Sequence, residues 1–408
     1  MPPMPAWGAP CEEGLLVSRP RRVMVIAGET SGDTHAAGVV REARALAPDL
    51  VFEGTGGESL EAAGVRLHHR VEELSVVGIT EVVARLPALR AALGDLRRRL
   101  RDDPPDLLLL VDFPDFNLML ARTARQVGVP SLYYISPQLW AWRRRRVKLL
   151  RRRVRRMIVF FPFEESFYRE HGVPVSFVGH PLADDRRRHP DSSAARRALS
   201  LEVEGKVVGL LPGSRPGELR RHLEVMLETA RRISAARPGT RFVLPLAAGL
   251  EASGPEAEAA AAGVDLRVVE GDFATAVEAC DGALVASGTA SLEVALREVP
   301  EVVVYRTSWL TAAVGRMALD IEHVSLVNLV AGREVVPELL QEAFTPQRAA
   351  AALLPLLDEG PAREAMLAGL ADVRRRLGQP GSYRRAAEVL VRELEATARP
   401  EREERGGG

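Results

Sequence analysis

Asp112 closes the uninterrupted apolar run Leu107–Val111 and opens the segment Asp112-Phe113-Pro114-Asp115-Phe116-Asn117. A carboxylate at the end of a buried strand is costly unless solvated or paired, so one placed there, facing the cleft, points to a functional role. Asp115 has a simpler use, as N-cap of the helix expected from Phe116. Another carboxylate, Glu29, lies in Gly28-Glu29-Thr30-Ser31-Gly32-Asp33, directly after the apolar run Val23–Ala27. Small residues and two carboxylates, Glu29 and Asp33, crowd that strand end. The spacing is neither the dinucleotide fingerprint nor a P-loop, so a nicotinamide or flavin cofactor is not expected.

Two later segments have the composition of anion sites. Pro212-Gly213-Ser214-Arg215 follows the run Val207–Leu211. Backbone N–H groups and a helix dipole favour a phosphate there, and Arg215 can bind one bidentately. Ser287-Gly288-Thr289-Ala290-Ser291-Leu292-Glu293 follows Gly282–Ala286 and begins another helix. Hydroxyls and amides at that start can cradle a pyrophosphate. Glu293, four residues after Thr289 and on nearly the same face, can accept hydrogen bonds from a ribose diol.

The run Arg143–Arg156 is densely basic, with Val147, Leu150 and Val154 at helical spacing. A sheet-covering helix with a solvated basic face accounts for much of it. Beyond that, it suits an anionic membrane surface, whereas nucleic acid is not expected because no recognisable module accompanies it. Trp140 and Trp142 precede the run, and tryptophan suits lipid interfaces as well as cores. The histidines show no metal-ligand spacing, and His180 in Gly179-His180-Pro181-Leu182 reads as a local structural residue. No nucleophile elbow of the type Gly-x-Ser-x-Gly is present. Formal net charge is zero over 55 basic and 55 acidic residues, so whole-molecule charge selects no partner. Only Asn117 and Asn328 are asparagines, and each lies in a segment singled out on other grounds. Cys11 and Cys280 make no disulfide framework, which points to a reducing, cytoplasmic setting.

These segments need strands to present them. Apolar runs at 23–27, 51–55, 107–112, 131–136, 157–161 and 175–179 alternate with helical spacing at 35–47, 85–101 and 116–127. A break rich in Asp, Arg, Pro and Ser at 184–195 reads as a hinge. The pattern restarts with strands at 207–211, 241–246, 266–270, 282–286 and 301–305, then ends in helices near 346–357, 361–377 and 382–396. Strands separated by helices imply parallel sheets, and in such sheets ligands bind at the strands' carboxyl ends. The expected fold is α/β, with two Rossmann-like doubly wound domains facing a cleft. Its expected divisions are a disordered leader (1–20), an acceptor domain (21–185), a second domain (186–380), a C-terminal helix (381–397) able to pack back on the first, and a disordered tail (398–408). The leader lacks the pattern of a signal peptide, and no apolar stretch reaches the roughly 20 residues that span a bilayer.

Taken together, the segments resemble the lipid-A-disaccharide synthase family of B-type-fold glycosyltransferases. The resemblance runs from Val23 to the final helix. It rests on Ala27–Asp33, Val76-Val77-Gly78-Ile79-Thr80-Glu81-Val82, Asp112–Asn117, Ser136–Trp142, Phe160–Phe163, Pro212–Arg215, Ser287–Glu293 and Ser325-Leu326-Val327-Asn328-Leu329. Family members often carry Ala where Thr30 stands and Pro where Val327 stands; neither difference removes a chemical group from the expected site. The resemblance implies transfer of 2,3-diacylglucosamine from UDP to 2,3-diacylglucosamine 1-phosphate, with inversion, giving a β(1→6) disaccharide and UDP. It implies Asp112 as base, with Glu29 as its competitor or as a residue positioning the acceptor. Gly213, Ser214, Arg215, Ser287, Gly288, Thr289, Glu293 and Asn328 fall to UDP. Ser31, Gly32, Asp33, Asn117, Val76, Ile79, Trp140 and Trp142 fall to the acceptor and its lipid. No cofactor is expected, and no metal if helix dipoles and Arg215 neutralise the diphosphate. The expected partners are the two lipid substrates and an anionic membrane, reached peripherally from the cytoplasmic face of the inner membrane. A UDP-sugar epimerase, a peptidoglycan-type transferase and a non-catalytic nucleotide-sugar or anionic-lipid binder remain as rivals, and the oligomeric state is not set.

Overall fold

Every residue of Leu107–Val111 is fully buried, because this strand has a neighbour on each edge and helices on both faces, the condition under which strands are apolar throughout. It is the fourth strand of a seven-stranded sheet: β1 (Arg22–Ala27), β2 (Val51–Gly56), β3 (Arg66–Arg70), β4 (Leu107–Val111), β5 (Ser131–Tyr134), β6 (Arg156–Val159) and β7 (Val175–Phe177). The order is β3-β2-β1-β4-β5-β6-β7, with every pair parallel. A second parallel sheet holds β8 (Val207–Leu211), β9 (Arg241–Leu246), β10 (Leu266–Glu270), β11 (Gly282–Ala286), β12 (Glu301–Tyr305) and β13 (Glu338–Leu340), in the order β10-β9-β8-β11-β12-β13. These are two Rossmann-like units. The computed structural model describes residues 19–74, 79–140, 144–184, 192–247, 249–307 and 322–397, without the side chains of 79–85 and 144. Val76, Trp142 and the side chain of Ile79 lie outside the described residues.

Strand order locates the ligand crevices. It reverses between β1 and β4 in the first sheet and between β8 and β11 in the second, and crevices open at such switch points. Ala27 is in register with Val111, and Leu211 with Val285. Gly28 and Asp112 therefore emerge at one level of one crevice, and Pro212 and Ala286 at one level of the other.

Two strands depart from the sequence expectation by being present at all. β3 is polar (Arg-Leu-His-His-Arg) and β13 is three residues long; both are edge strands, freed from the apolar requirement on central ones. The first long helix spans Thr30–Leu46, not 35–47, because Glu29 occupies its N-cap position and Gly32-Asp33 lie inside its first turn. The 3-10 turn Pro181–Asp184 leads into the expected hinge, the last part of which is taken up by the helix Ser192–Ala198. The latter helix is anchored in the second unit by buried Arg196, whose guanidinium binds Asp281 at 2.7 Å and Ala279 O at 3.0 Å. The helix Ser382–Thr397 returns to the first unit. There Tyr383 Oη meets His35 Nδ1 at 2.9 Å, and Glu393 pairs with Arg155 and Arg156. Among the described residues, no helix is long and apolar enough to cross a membrane.

Candidate active site

The first crevice is built on strain. Asp112 and Phe113 both adopt left-handed backbone conformations, with φ of +45° and +49°, a region costing a non-glycine residue on the order of 1–3 kcal/mol unless its surroundings enforce it. Here they do. The Asp112 carbonyl accepts from Tyr133 Oη at 2.6 Å and Asn117 Nδ2 at 2.7 Å, and the Asp112 N–H donates to Tyr134 O at 3.0 Å. Tyr133 and Asn117 are fully buried. Phe113 stacks on Phe116 with ring centroids 5.0 Å apart, and its ring also lies against Gly28. A Cβ built on Gly28 would lie 2.3 Å from Phe113 Cδ1. The Gly28 loop and the Asp112 loop are thereby locked together.

That lock brings the two expected carboxylates to one place. Glu29 is exposed and makes no cap bond with its side chain. Burial, and then the Glu29 charge, push the Asp112 carboxyl up to about 6, against the lowering effect of the Phe113 N–H. A carboxylate with raised basicity beside an exposed one can take a proton from a hydroxyl near neutrality. Asp115 lies outside this pair, in a 2.5 Å contact with Arg146 on the surface.

Other residues of the acceptor group have different duties. Ser31 is exposed at the helix start, and Gly32 packs on Val111. Asp33 is buried and accepts from Gly57 N at 2.6 Å, Ser59 N at 2.9 Å and Leu60 N at 3.3 Å. Its carboxylate is a cap for the helix Glu58–Ala62, not an acceptor contact. Asn117 is likewise revised: its amide clamps Val111 O and Asp112 O, so it positions Asp112. Trp140 is buried, edge-on to Phe163 with centroids 4.9 Å apart; it is a core residue and not an interface anchor, because its ring completes the cluster over β5 and β6.

In the second crevice the geometry is open. Gly213 has φ +113°, and a Cβ there would meet Glu218 Oε2 at 2.5 Å. That approach lets Glu218 accept from Ser214 N at 3.1 Å and Arg215 N at 3.3 Å. The Arg215 side chain remains 77% exposed, with a 3.9 Å contact to Glu218. Across the switch point Ser287 N donates to Val304 O, while Gly288 and Thr289 are exposed at the N-terminus of the helix Thr289–Leu296. Nothing lies within 4 Å of a Cβ built on Gly288. Glu293 is half-buried, 4.0 Å from Arg297. Asn328 departs from expectation. It is fully buried, and its amide is committed to Val336 O, Glu338 Oε1, Val335 N and Val336 N at 2.7–3.0 Å, so it shapes the Ser325–Glu338 loop instead of meeting a ligand.

The two units touch where Leu329 packs against the first core and Phe161 and Phe163 pack against the second. The helices involved, Pro162–Glu170 and Leu326–Ala331, follow β6 and β12, so the contact lies on the carboxyl side of each sheet. Nearby, Glu164 is buried and its carboxyl is pushed up to about 8, chiefly by desolvation. Among the described residues, no cluster of three or more His, Cys, Asp or Glu side chains could hold a metal ion.

The sequence matches the lipid-A-disaccharide synthetase family over residues 23–391. The chain belongs to this family. The lipid-A-disaccharide synthase of Myxococcus xanthus is 47% identical over 375 residues, covering 92% of this chain and 98% of that relative. That of Geobacter metallireducens is 44% identical over 92% of this chain and 97% of its own. As a lipid-A-disaccharide synthase family member the protein is a glycosyltransferase, and its function is lipid A disaccharide synthesis. Solved structures share the fold. The calicheamicin glycosyltransferase CalG4 superposes with a TM-score of 0.55 at 18% identity, over 94% of this chain and all of that one. The UDP-GlcNAc 2-epimerase of Neisseria meningitidis gives 0.57 at 13%, over 92% of this chain and all of that one.

Phe113, Tyr133, Glu218 and Glu164 were not legible as site residues. Glu218 alone had a signal, a carboxylate three residues after Arg215 where a helix start needs one.

Proposed function

We propose that the chain transfers the 2,3-diacylglucosamine of a UDP-linked donor to 2,3-diacylglucosamine 1-phosphate by one in-line displacement. Asp112 takes the proton of the acceptor 6-hydroxyl. The oxygen forms the new bond to C1 as the C1–oxygen bond to the diphosphate breaks, and UDP leaves with the electron pair. The observation that carries this reading is the Asp112 carboxyl itself, held at the first switch point with its pKa near 6 beside Glu29. Glu29 positions the acceptor and sustains the basicity of Asp112. Arg215 and the exposed N–H groups at Gly288 and Thr289 meet the charge of the departing diphosphate, with Glu293 and the Gly213–Ser214 turn completing the nucleotide site. The metal-free expectation stays part of this proposal, and activity surviving a chelator is its check.

Both substrates carry acyl chains, and we place the reaction at an anionic membrane surface on the cytoplasmic side. Arg145, Lys148, Arg151 and Arg152 support this by standing exposed together. Arg153, Arg155 and Arg156 are tied to Leu118 O and Glu393 and belong to the fold. One experiment tests the whole reading. Donor and acceptor are presented in anionic vesicles or in detergent, at low and high salt, with products read by mass spectrometry. Disaccharide 1-phosphate and UDP are expected in equal amounts. The vesicle reaction should fall with salt as the Debye length shortens from about 10 Å at 0.1 M to 3 Å at 1 M, while the detergent reaction should not. UDP binding without product would make the chain a binder, and a salt-indifferent vesicle reaction would remove the membrane from the proposal.

A further inference from the structure

His222 stands on the second turn of the helix Pro216–Ala236, fully buried behind the Pro212–Arg215 loop. Its Nδ1 lies 2.6 Å from Pro212 O. A carbonyl can only accept, so Nδ1 carries the proton. In the neutral ring Nε2 is then an acceptor, and it receives the Arg306 N–H at 3.0 Å. Arg306 O, 3.1 Å from the same Nε2, takes no bond from this tautomer. The ring has Tyr305 and Phe344 as neighbours, with centroids 5.5 and 6.1 Å away. One imidazole thus joins the loop after β8 to the end of β12.

The consequence falls on Arg215. Its loop is held from the same helix at two points, by His222 on the carbonyl of Pro212 and by Glu218 on the N–H groups of Ser214 and Arg215. Between those grips the backbone direction at Gly213 and Ser214 is set, and the Arg215 side chain extends from it 77% exposed. We propose that His222 is a positioning residue for the donor: through Pro212 it aims the arginine and the turn that meet the UDP diphosphate. This rests on the UDP assignment of Arg215 made above.

The test is calorimetry of UDP binding to the full-length protein, with KM measured for each substrate. Asn places an amide N–H where Nδ1 stands, whereas Gln reaches only toward Nε2 and leaves Pro212 O unpaired. His222→Asn should keep UDP affinity within about threefold, and His222→Gln should lose roughly tenfold. The donor KM should rise in parallel while the acceptor KM holds. In an Arg215→Ala background, His222→Gln should cost less than about twofold more, since residues acting through one group are not additive. Equal effects of Asn and Gln, a Gln loss undiminished in the Arg215→Ala background, or both KM values rising together would overturn the proposal. If the Gln variant fails to fold, a tenfold loss in the Asn variant alone overturns it, and retained affinity there supports it. Arg215→Ala with unchanged UDP affinity would instead sink the UDP assignment, whatever His222 does.

Discussion

The two switch points solve opposite problems with opposite materials. At the first, a non-glycine pair is forced into left-handed backbone and its carboxyl is partly buried, which raises its basicity. At the second, a glycine takes the positive φ without cost, and the charged group is left in water. A base must be destabilised as an anion to want a proton near neutral pH. A phosphate-binding cation needs only to be reachable. At the switch points themselves, strain marks the one to which we assign the chemistry, and a glycine replaces it at the one to which we assign binding. The distinction does not follow from raised acidity constants alone. Glu301, the first residue of β12, is also buried, with its carboxyl raised well above the usual range and neither oxygen hydrogen-bonded among the described residues. It lies at the amino end of its strand, away from any crevice.

The sharpest way to break this comparison is Asp112→Asn. Turnover should fall about 10²–10⁴-fold, the usual contribution of a general base, with UDP affinity and melting temperature near those of the parent. In the parent, kcat/KM should rise with pH through about 6 as Asp112 ionises. Glu29→Gln removes a charge that raises the Asp112 pKa, so the acid limb should move to lower pH. Activity within a few-fold of the parent for Asp112→Asn would transfer the base to Glu29. An unmoved limb in Glu29→Gln would mean that the two carboxylates do not sense each other.

Gly28→Ala tests the lock between the loops. The Gly28 backbone is not in the left-handed region, so the only penalty is the contact, and the new methyl must displace the Phe113 ring. Phe113 is the neighbour of Asp112 and shares its strained geometry, so the carboxyl should shift with it. A misplacement of about 1 Å can cost roughly 10²-fold; kcat should fall by about that factor while UDP affinity, which we assign to the other half, changes less than about twofold. Parental kcat would show that Phe113 can move without carrying Asp112.

How much of this was legible in sequence follows from the same contrast. Central strands such as Leu107–Val111 announce themselves, because burial on both faces demands an unbroken apolar run. β3 does not, since an edge strand tolerates Arg-Leu-His-His-Arg. That Glu29, Asp112 and Arg215 stand just beyond the carboxyl ends of strands could be read from the runs before them. Asp33 and Asn328 could not be told from ligand groups, because a carboxylate or amide that caps backbone has the same chemistry as one that binds. Tyr133 lies inside an ordinary strand, and only the fold reveals that its hydroxyl grips the carbonyl of Asp112. Gly28 and Phe113, 85 residues apart, bring two loops together, a long-range contact with no local signature.

The smallest effect on activity, and the cleanest on stability, belongs to Glu301→Met. Methionine keeps the length of the side chain and removes a buried polar group without partners, whose burial costs about 1–3 kcal/mol. The variant should therefore be more stable at neutral pH by roughly that amount, with turnover unchanged. The sign with pH follows from linkage. The folded carboxyl is raised above its unfolded value, so the folded state holds a proton that the unfolded state releases. The parent therefore has its full share of stability below about pH 4.3, the ordinary pKa of glutamate, and loses it as pH rises toward the folded value. The gap between variant and parent should widen from pH 4 to pH 8 in urea titrations, with an unchanged m-value marking a pure stability effect. A variant less stable than the parent would mean that Glu301 has a partner which its removal strands. A loss of turnover would join the amino end of β12 to the chemistry and dissolve the contrast, whereas unchanged turnover would leave strain at Asp112, not burial of an acid, as what sets the first switch point apart.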